Sequence, residues 1–138
     1  MTEAGIDVVD VGIAPTPTII FLVNQTQADG AVIISASHNP REYNGVKFIS
    51  NRAQYITQQE VDEIKNYKKE DFTTAEKIGT YEKNDTLDEL HVEHILKHID
   101  FEKIKEKAFR VVLDPINSAG YKLGPLLLDK LGCTPITI

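Results

Sequence analysis

The sequence predicts an α/β protein, and three observations carry that prediction. Short strand-like runs and helical segments alternate in the order β-α-β-β-α-α-β-α-β, which is the pattern of the α/β class. Two Thr-x-x-Glu capping boxes, at Thr57 and Thr86, mark helix starts within that order. The C-terminal end of the chain has the strand–helix–strand succession of one β-α-β unit.

The first three elements are defined by two apolar runs and one helix start. β-Branched residues at most positions of Ile6–Val11 predict a strand. Thr16 is suited to the N-cap and Pro17 to the first position of a helix that ends near Thr26. The run Ala31–Ser35 is apolar on both faces, as in a strand that helices cover on both sides.

The middle of the chain predicts a strand, a helix and a loop. Asn44-Gly45 is a tight-turn signal, and Val46–Ile49 resumes strand character after it. The capping box at Thr57 opens a helix that runs to about Lys68. Residues 69–86 are polar and contain a glycine, and they predict mostly loop.

The second half repeats the alternation. The capping box at Thr86 opens a helix to about Ile99. A strand at Phe109–Leu113, a helix at Leu123–Leu131 and a strand at 135–138 follow.

A charged linker predicts the domain organisation. Residues 100–108 separate most of one α/β domain, residues 1–99, from the start of a second at 109–138. The latter segment is too short to cover its own apolar strand and helix. Because unpaired strand edges readily pair with another chain, we expect self-association, by strand addition or by exchange of the C-terminal β-α-β unit.

Composition excludes several classes of partner. Lys plus Arg is 15 and Asp plus Glu is 21, so the net charge of -6 disfavours a nucleic-acid partner. No apolar run approaches the length of a membrane span, and no secretory signal is visible. The single cysteine, Cys133, fits a reducing compartment and reads as a plain buried thiol. We therefore expect a cytoplasmic protein without a membrane partner.

The residues that carry chemistry follow the strand Ala31–Ser35. Ser37 is a hydroxyl nucleophile on a loop at a strand end, where ligand sites of open α/β sheets lie. His38 stands beside it, and Lys47 can face the same cleft, a combination suited to phosphoryl transfer. A serine hydrolase would need glycines two residues before and after Ser37, where this chain has serine and asparagine. From spacing alone, a polar turn without function explains the pattern equally well.

The run Ser35–Pro40 followed by Asn44–Lys47 closely resembles the active-site serine loop of the α-D-phosphohexomutases. That superfamily includes phosphoglucomutase, phosphomannomutase and phosphoglucosamine mutase. Gly12–Pro17 resembles the segment before the first-domain helix, and Val111–Asn117 resembles the opening of the second domain. The resemblance implies part of a phosphohexomutase-type mixed-sheet α/β domain, followed by the first β-α-β unit of a second, similar domain.

The resemblance also implies a reaction. Ser37 would carry a phosphate, donate it to a hexose phosphate and take back the other phosphate of the bisphosphorylated sugar. Mg²⁺ would bind the phosphate on Ser37, and a bisphosphorylated hexose would prime the serine. Lys47 matches the lysine proposed to help move protons or charge, and His38 matches the histidine beside the serine. Asn39 and Asn44 match motif positions that shape the substrate site.

Departures from the family limit what the chain alone can do. Family members have four domains, and their aspartate-rich metal loop, sugar-selecting loop and phosphate-clamping loop have no counterpart here. Ser118 stands where many relatives have glycine. We expect no turnover by the isolated chain. Ser35 and Lys47–Ser50 lean slightly towards phosphoglucosamine mutase, with phosphomannomutase, phosphoglucomutase or a non-catalytic sugar-phosphate-binding module as alternatives.

Two other polar features have ordinary explanations. His91, His94 and His98 lie near one helix face, and histidines four apart can bind zinc, but no further ligand is evident. A partly solvated helix edge explains them. Asp114 ends a strand and is either a ligand or the cap of the following turn.

Overall fold

A computed structural model of the chain describes residues 1–40, 42–68 and 75–138. The chain divides into two compact units, one formed by Met1–Asp10 and Ile20–Asn84 and the other by Val11–Ile19 and Asp85–Ile138. After a short 3-10 helix at Thr2–Ala4, the elements are β1 (Val8–Asp10), α1 (Thr16–Thr26), β2 (Gly30–Ser35), β3 (Gly45–Ser50), α2 (Gln58–Asn66), β4 (Tyr81–Lys83), α3 (Glu89–Leu96), α4 (Phe101–Lys105), β5 (Arg110–Leu113), α5 (Gly120–Lys130) and β6 (Thr134–Thr137).

The strands of the described residues pair in three two-stranded sheets. Strands β1 and β4 are parallel, β2 and β3 are antiparallel, and β5 and β6 are parallel. Parallel pairs need a crossover connection, and β5–α5–β6 is such a unit. The prediction of a mixed α/β architecture is therefore confirmed.

The β2–β3 hairpin is the element of the first unit that positions the serine loop. Ser35 pairs with Gly45 and Ile33 with Lys47, so the loop between the strands covers residues 36–44. A Cβ at Gly45 would come within 3.1 Å of the Ser35 carbonyl oxygen, so this pairing leaves little room for a side chain. Ile49, only 3% exposed, anchors the far end of β3 in the apolar core.

Helix α5 organises the second unit. The buried side chains of Leu123, Leu131 and Cys133 follow its length and the turn after it, which confirms the expected buried thiol. A Cβ at Gly124 would lie 2.7 Å from a methyl carbon of Leu113, so the glycine permits close packing of the helix on β5. Gly132, with φ +70°, ends the helix in the left-handed conformation that glycine adopts readily.

Two elements differ from the sequence prediction in the first unit. Strand β4 lies in the stretch predicted as loop, of which residues 69–74 fall outside the described residues. Its three residues are exposed and carry no apolar pattern, and pairing with β1 makes it a strand. Asn44-Gly45 is not the turn itself, because Gly45 already pairs with Ser35 and the Asn39 N–H donates to the Ala36 carbonyl oxygen earlier in the loop.

Two helix starts in the second unit also differ. Helix α3 begins at Glu89, and Asp88 at its N-cap makes no capping hydrogen bond, so the helix start predicted at Thr86 is wrong. The side chain of Asp88 is instead paired with Lys122. Helix α5 begins at Gly120, three residues before the predicted start. The prediction missed the first turn because this turn is polar on its exposed side and lacks an apolar signal.

The charged segment before β5 contains the short helix α4, whose residues are exposed or half-buried. The domain boundary predicted at 100–108 stays a prediction. Among the described residues, none of the helices combines the length and the apolar character that crossing a membrane requires.

Candidate active site

The serine loop begins where β2 ends. Ser35 is the last residue of β2, and the chain leaves the sheet at Ala36. Ser37 follows with φ +54°. This left-handed conformation costs a residue with a side chain about 1–2 kcal/mol, so it persists only where the surroundings hold it. Strained backbone of this kind occurs at functional sites, and five other described residues with side chains also have positive φ in this chain.

Two hydrogen bonds donated by backbone N–H groups define the conformation of the loop. The Ser37 N–H donates to the Ser35 hydroxyl oxygen at 3.0 Å. The Asn39 N–H donates to the Ala36 carbonyl oxygen at 3.0 Å, which closes a four-residue turn with Ser37 at its second position. The turn projects the Ser37 side chain into solvent.

The hydroxyl of Ser37 lies 3.3 Å from Nδ1 of His38. Both side chains are exposed, so a substrate can reach the pair. The imidazole nitrogen either accepts the hydroxyl proton or donates its own, depending on the tautomer. The structure thus brings together two of the residues that the sequence singled out.

Lys47 is placed by the strand register. It pairs with Ile33 in the antiparallel ladder, and Ser35 pairs with Gly45 two residues along. Side chains of paired residues share a sheet face, and residues two apart on a strand do so as well. Lys47 therefore lies on the face of the hairpin that also carries Ser35.

Asn39 and Asn44 are both exposed in the loop that joins β2 to β3. The backbone of Asn39 closes the turn around Ser37, and Asn44 directly precedes the first residue of β3. The hairpin thus carries all five candidate site residues within one local segment, and their roles toward substrate stay predictions.

Sequence reasoning missed the contribution of Ser35 to this site. Its hydroxyl accepts the N–H of the residue two positions later, which is the contact of an ST-turn. The sequence signal for this contact is a serine two residues before the nucleophile candidate, and the family resemblance gives that serine no structural role.

His91, His94 and His98, of which the first two lie in α3, make contacts of other kinds. Across residues 1–40, 42–68 and 75–138, no group of three or more His, Cys, Asp or Glu side chains could hold a metal ion. Nδ1 of His91 lies 3.0 Å from the buried Thr18 hydroxyl. Burial lowers the pKa of His91, and the neighbouring His94 lowers it further. The rings of His94 and His98 lie 4.4 Å apart at a tilt of 43°.

Asp114 caps a turn. Its Oδ1 accepts the N–H of Ile116 at 2.9 Å, at the point where β5 leads into α5. Ile116 and Asn117 both have positive φ, 48° and 50°. Of the two interpretations that the sequence left open for Asp114, the structure shows the capping contact.

Comparison with known proteins defines the class. Residues 1–74 match the family model described as phosphoglucomutase/phosphomannomutase, alpha/beta/alpha domain I. This match covers more than half of the chain, and the chain therefore belongs to the phosphoglucomutase/phosphomannomutase family. The resemblance of the serine loop to that of the phosphohexomutases is thereby confirmed.

Particular relatives support the same assignment. The whole chain is 37% identical to a phosphoglucosamine/phosphogalactosamine mutase of Sulfurisphaera tokodaii and spans 31% of that protein. It is 38% identical to a phosphoglucomutase/phosphomannomutase of Thermococcus kodakarensis and again spans 31% of it. A crystal structure described as that of a phosphomannomutase from Thermus thermophilus superimposes on 99% of the chain with a TM-score of 0.83 and 28% identity, and the chain covers 31% of it. The chain thus spans about a third of the length of these relatives.

Proposed function

We propose that this chain carries the phosphoserine loop of a phosphohexomutase, which exchanges phosphate between the 1- and 6-positions of a hexose. The observation that carries the proposal is Ser37, an exposed serine in a left-handed conformation at the end of β2, in a chain of this family. Such a residue contributes little to packing, and its hydroxyl is open to a ligand. The phosphate-accepting serine is the role that fits both facts.

The reaction proceeds in two transfers. In the first, the bond between Ser37 Oγ and phosphorus breaks while the free hydroxyl of the sugar monophosphate bonds to that phosphorus and passes its proton to Ser37 Oγ. The bisphosphorylated sugar then presents its other phosphate. In the second transfer, Ser37 Oγ takes that phosphoryl group, and the proton returns to the sugar oxygen that leaves. Positioning and charge neutralisation supply most of the rate in such transfers.

The neighbouring side chains suit this chemistry. His38 Nδ1, at 3.3 Å from Ser37 Oγ, is close enough to hold a proton next to the serine oxygen. Lys47, on the hairpin face shared with Ser35, would supply a positive charge to neutralise phosphate oxygens. Asn39 and Asn44, on the joining loop, would shape the sugar site.

A magnesium ion on the phosphoserine and a bisphosphorylated hexose as primer belong to the same proposal. The described residues contain no group of three side chains that could hold a metal. Mg²⁺ needs several oxygen ligands, so the ligands other than the phosphate on Ser37 would come from residues beyond those that the structure describes. In this proposal Ser37 carries out both phosphoryl transfers, and no step is assigned to the metal ion.

The substrate we favour is glucosamine phosphate. Several similar proteins bear the name phosphoglucosamine mutase, including those of Nautilia profundicola at 35% and Clostridioides difficile at 35% identity. Mannose and glucose phosphates are the alternatives, since the Thermococcus kodakarensis relative is named for both. We propose a cytoplasmic location on the single buried Cys133, which fits a reducing compartment.

The test is a graft. Residues 1–138 replace the matching third of the Thermococcus kodakarensis relative, and a coupled assay measures conversion of glucosamine, mannose and glucose 1-phosphates after priming with the matching bisphosphate. We expect activity that Ser37→Ala abolishes and that Ser50→Ala, at the other end of the hairpin, leaves in place. A folded but inactive graft, or an active Ser37→Ala graft, would contradict the proposal and favour a non-catalytic sugar-phosphate-binding module.

We further propose that the 138-residue chain by itself is inactive and self-associates. Each sheet of the described residues has two strands and therefore open edges, which readily pair with another chain. Strand addition or exchange of the β5–α5–β6 unit would satisfy them. Light scattering coupled to size exclusion should give a mass above 15.4 kDa at micromolar concentration, and a sharp monomer peak would reject the idea.

A further inference from the structure

The conformation of Ser37 requires an explanation that the reaction alone does not provide. Ser37 is the second residue of the turn at residues 36–39, and its φ is +54°. Positive φ at this position is typical of the primed turn types, in which glycine, asparagine and aspartate dominate. A serine there is intrinsically disfavoured. Some other group in the chain must therefore hold its backbone in place.

Besides the bond from the Asn39 N–H to the Ala36 carbonyl oxygen, which closes the turn, the group that meets this requirement is the Ser35 hydroxyl. It accepts the Ser37 N–H at 3.0 Å and so satisfies the backbone donor of the strained residue. Ser35 is itself fixed, because it is the last residue of β2, is half-buried and pairs with Gly45 of β3. The anchor of the loop is thus a side chain on a regular sheet, which positions a neighbouring group more reliably than a loop residue does.

We propose that Ser35 is a positioning residue, whose hydroxyl fixes the peptide bond before Ser37 and, together with the turn, holds Ser37 in the left-handed conformation with its Oγ available to the substrate. The proposal rests on the proposed function for the role of Ser37, but the hydrogen bond and the conformation do not depend on it. Ser35 touches no reacting atom in this assignment. It acts through the backbone of Ser37.

The structural test uses the 138-residue chain and a pair of matched variants. Ser35→Thr keeps the hydroxyl, and Ser35→Val has the shape of threonine without it. Isotope-edited NMR reads the backbone of Ser37 through the amide–Hα cross-peak within the residue, which is strong for positive φ, and through amide hydrogen exchange. We expect both signals in the unsubstituted chain and in Ser35→Thr, and we expect Ser35→Val to lose them.

A control separates this effect from loss of the hairpin. Ser50→Val places the same substitution at the opposite end, where Ser50 pairs with Gly30 and its hydroxyl donates to the Gln54 carbonyl oxygen at 3.2 Å. We expect it to leave the Ser37 signals unchanged. Cross-strand signals between Ile33 and Lys47 report whether the hairpin of each variant is intact. An intact hairpin with Ser37 unchanged in Ser35→Val would overturn the proposal.

The kinetic test uses the graft described above. We expect Ser35→Val to lower kcat by about 10–100-fold with KM unchanged, because misplacement of a reacting group by about 1 Å can cost that much. Ser35→Thr, which keeps the hydroxyl, should have a kcat close to that of the unsubstituted graft. If the unsubstituted graft is inactive, the proposed function has failed, and the NMR comparison still decides whether Ser35 positions Ser37. An active graft whose kcat is indifferent to Ser35→Val would overturn the positioning role.

Discussion

The serine loop and the β5–α5–β6 unit are held in place by different forces. The loop is exposed, and its conformation depends on hydrogen bonds between residues two or three positions apart, such as that from the Ser37 N–H to Ser35. The β5–α5–β6 unit buries Leu123, Leu131 and Cys133. We therefore expect the exposed loop to have a conformation defined by local hydrogen bonds while contributing little to the free energy of unfolding.

An ion pair compensates a buried carboxylate in the second unit. Nζ of Lys122, on α5, lies 2.7 Å from Oδ1 of Asp88, whose side chain is 1% exposed. Lys122 also donates to the Asp85 carbonyl oxygen. Burial opposes the charge of Lys122, but the hydrogen bond to Asp88 and the nearby carboxylates outweigh it and raise the pKa of the lysine. Asp88 is thus buried with its charge compensated.

The largest change in the free energy of unfolding should come from a buried side chain of the β5–α5–β6 unit. Leu123→Ala leaves a cavity at a side chain that is 7% exposed, and we expect it to lower the free energy of unfolding by about 2–4 kcal/mol. Leu90→Ala, at a leucine that is 37% exposed, is the matched control and should cost much less. Urea unfolding followed by far-UV circular dichroism measures both, since the chain has no tryptophan. Equal losses of unfolding free energy would contradict the view that buried side chains such as Leu123 stabilise the β5–α5–β6 unit.

The ion pair should give the next largest effect. Lys122→Met leaves the Asp88 carboxylate without its partner, and we expect a loss of about 1–3 kcal/mol, towards the lower end because Lys122 is partly exposed and screened. Lys103→Met is the control, because the Lys103–Asp100 pair lies at the surface with side chains 80% and 58% exposed. It should change the free energy of unfolding little. Identical losses of unfolding free energy for the two variants would show that the burial of Asp88 does not change what its ion pair contributes.

A substitution in the loop should have the opposite sign. Ser37→Gly relieves the left-handed strain, and we expect the free energy of unfolding to rise by about 0.5–1 kcal/mol after the entropy cost of glycine. The same variant cannot carry a phosphate. Ser50→Gly, in the extended strand β3, is the control and should destabilise the hairpin. Destabilisation by Ser37→Gly would mean that the serine side chain supports the fold.

The smallest effect is a dependence on pH. The pKa of His91 in the folded chain is below its ordinary value of 6.5, because of burial and then His94. As pH falls below that value, the unfolded chain takes up a proton that the folded chain resists, so the free energy of unfolding should fall and should stay constant above it. His91→Gln should reduce this slope, whereas the control His98→Gln should retain it. Urea titrations at several pH values between about 5 and 8 distinguish the two.

Features with local causes could be predicted from the sequence. The capping box at Thr57 is present as expected: the Thr57 N–H donates to Glu60 Oε2 at 2.6 Å, and the Glu60 N–H donates to Thr57 Oγ1 at 3.3 Å. Helix α1 ends at Thr26 as predicted and begins at Thr16, the residue expected at its N-cap, and the loop at Ser37 follows β2 as expected. Pro40 excludes regular structure there by its own chemistry.

Features that depend on distant residues could not be predicted in this way. Strand β4 exists because it pairs with β1, aided by hydrogen bonds from Thr80 to Asp7 and from Tyr81 to Asp10. No pattern in three exposed residues reports a partner more than 70 positions away.

The order of residues along the chain was enough to establish the α/β class, the position of the serine loop and the family to which the loop belongs, because these depend on short runs of residues. The folded structure was needed to show that Asp88 pairs with Lys122 and makes no capping hydrogen bond for α3, and that Ser37 adopts a positive φ beside the Ser35 hydroxyl. Both outcomes are choices between hydrogen-bond partners. Such choices depend on which groups the fold brings within about 3 Å, and spacing along the chain does not specify that.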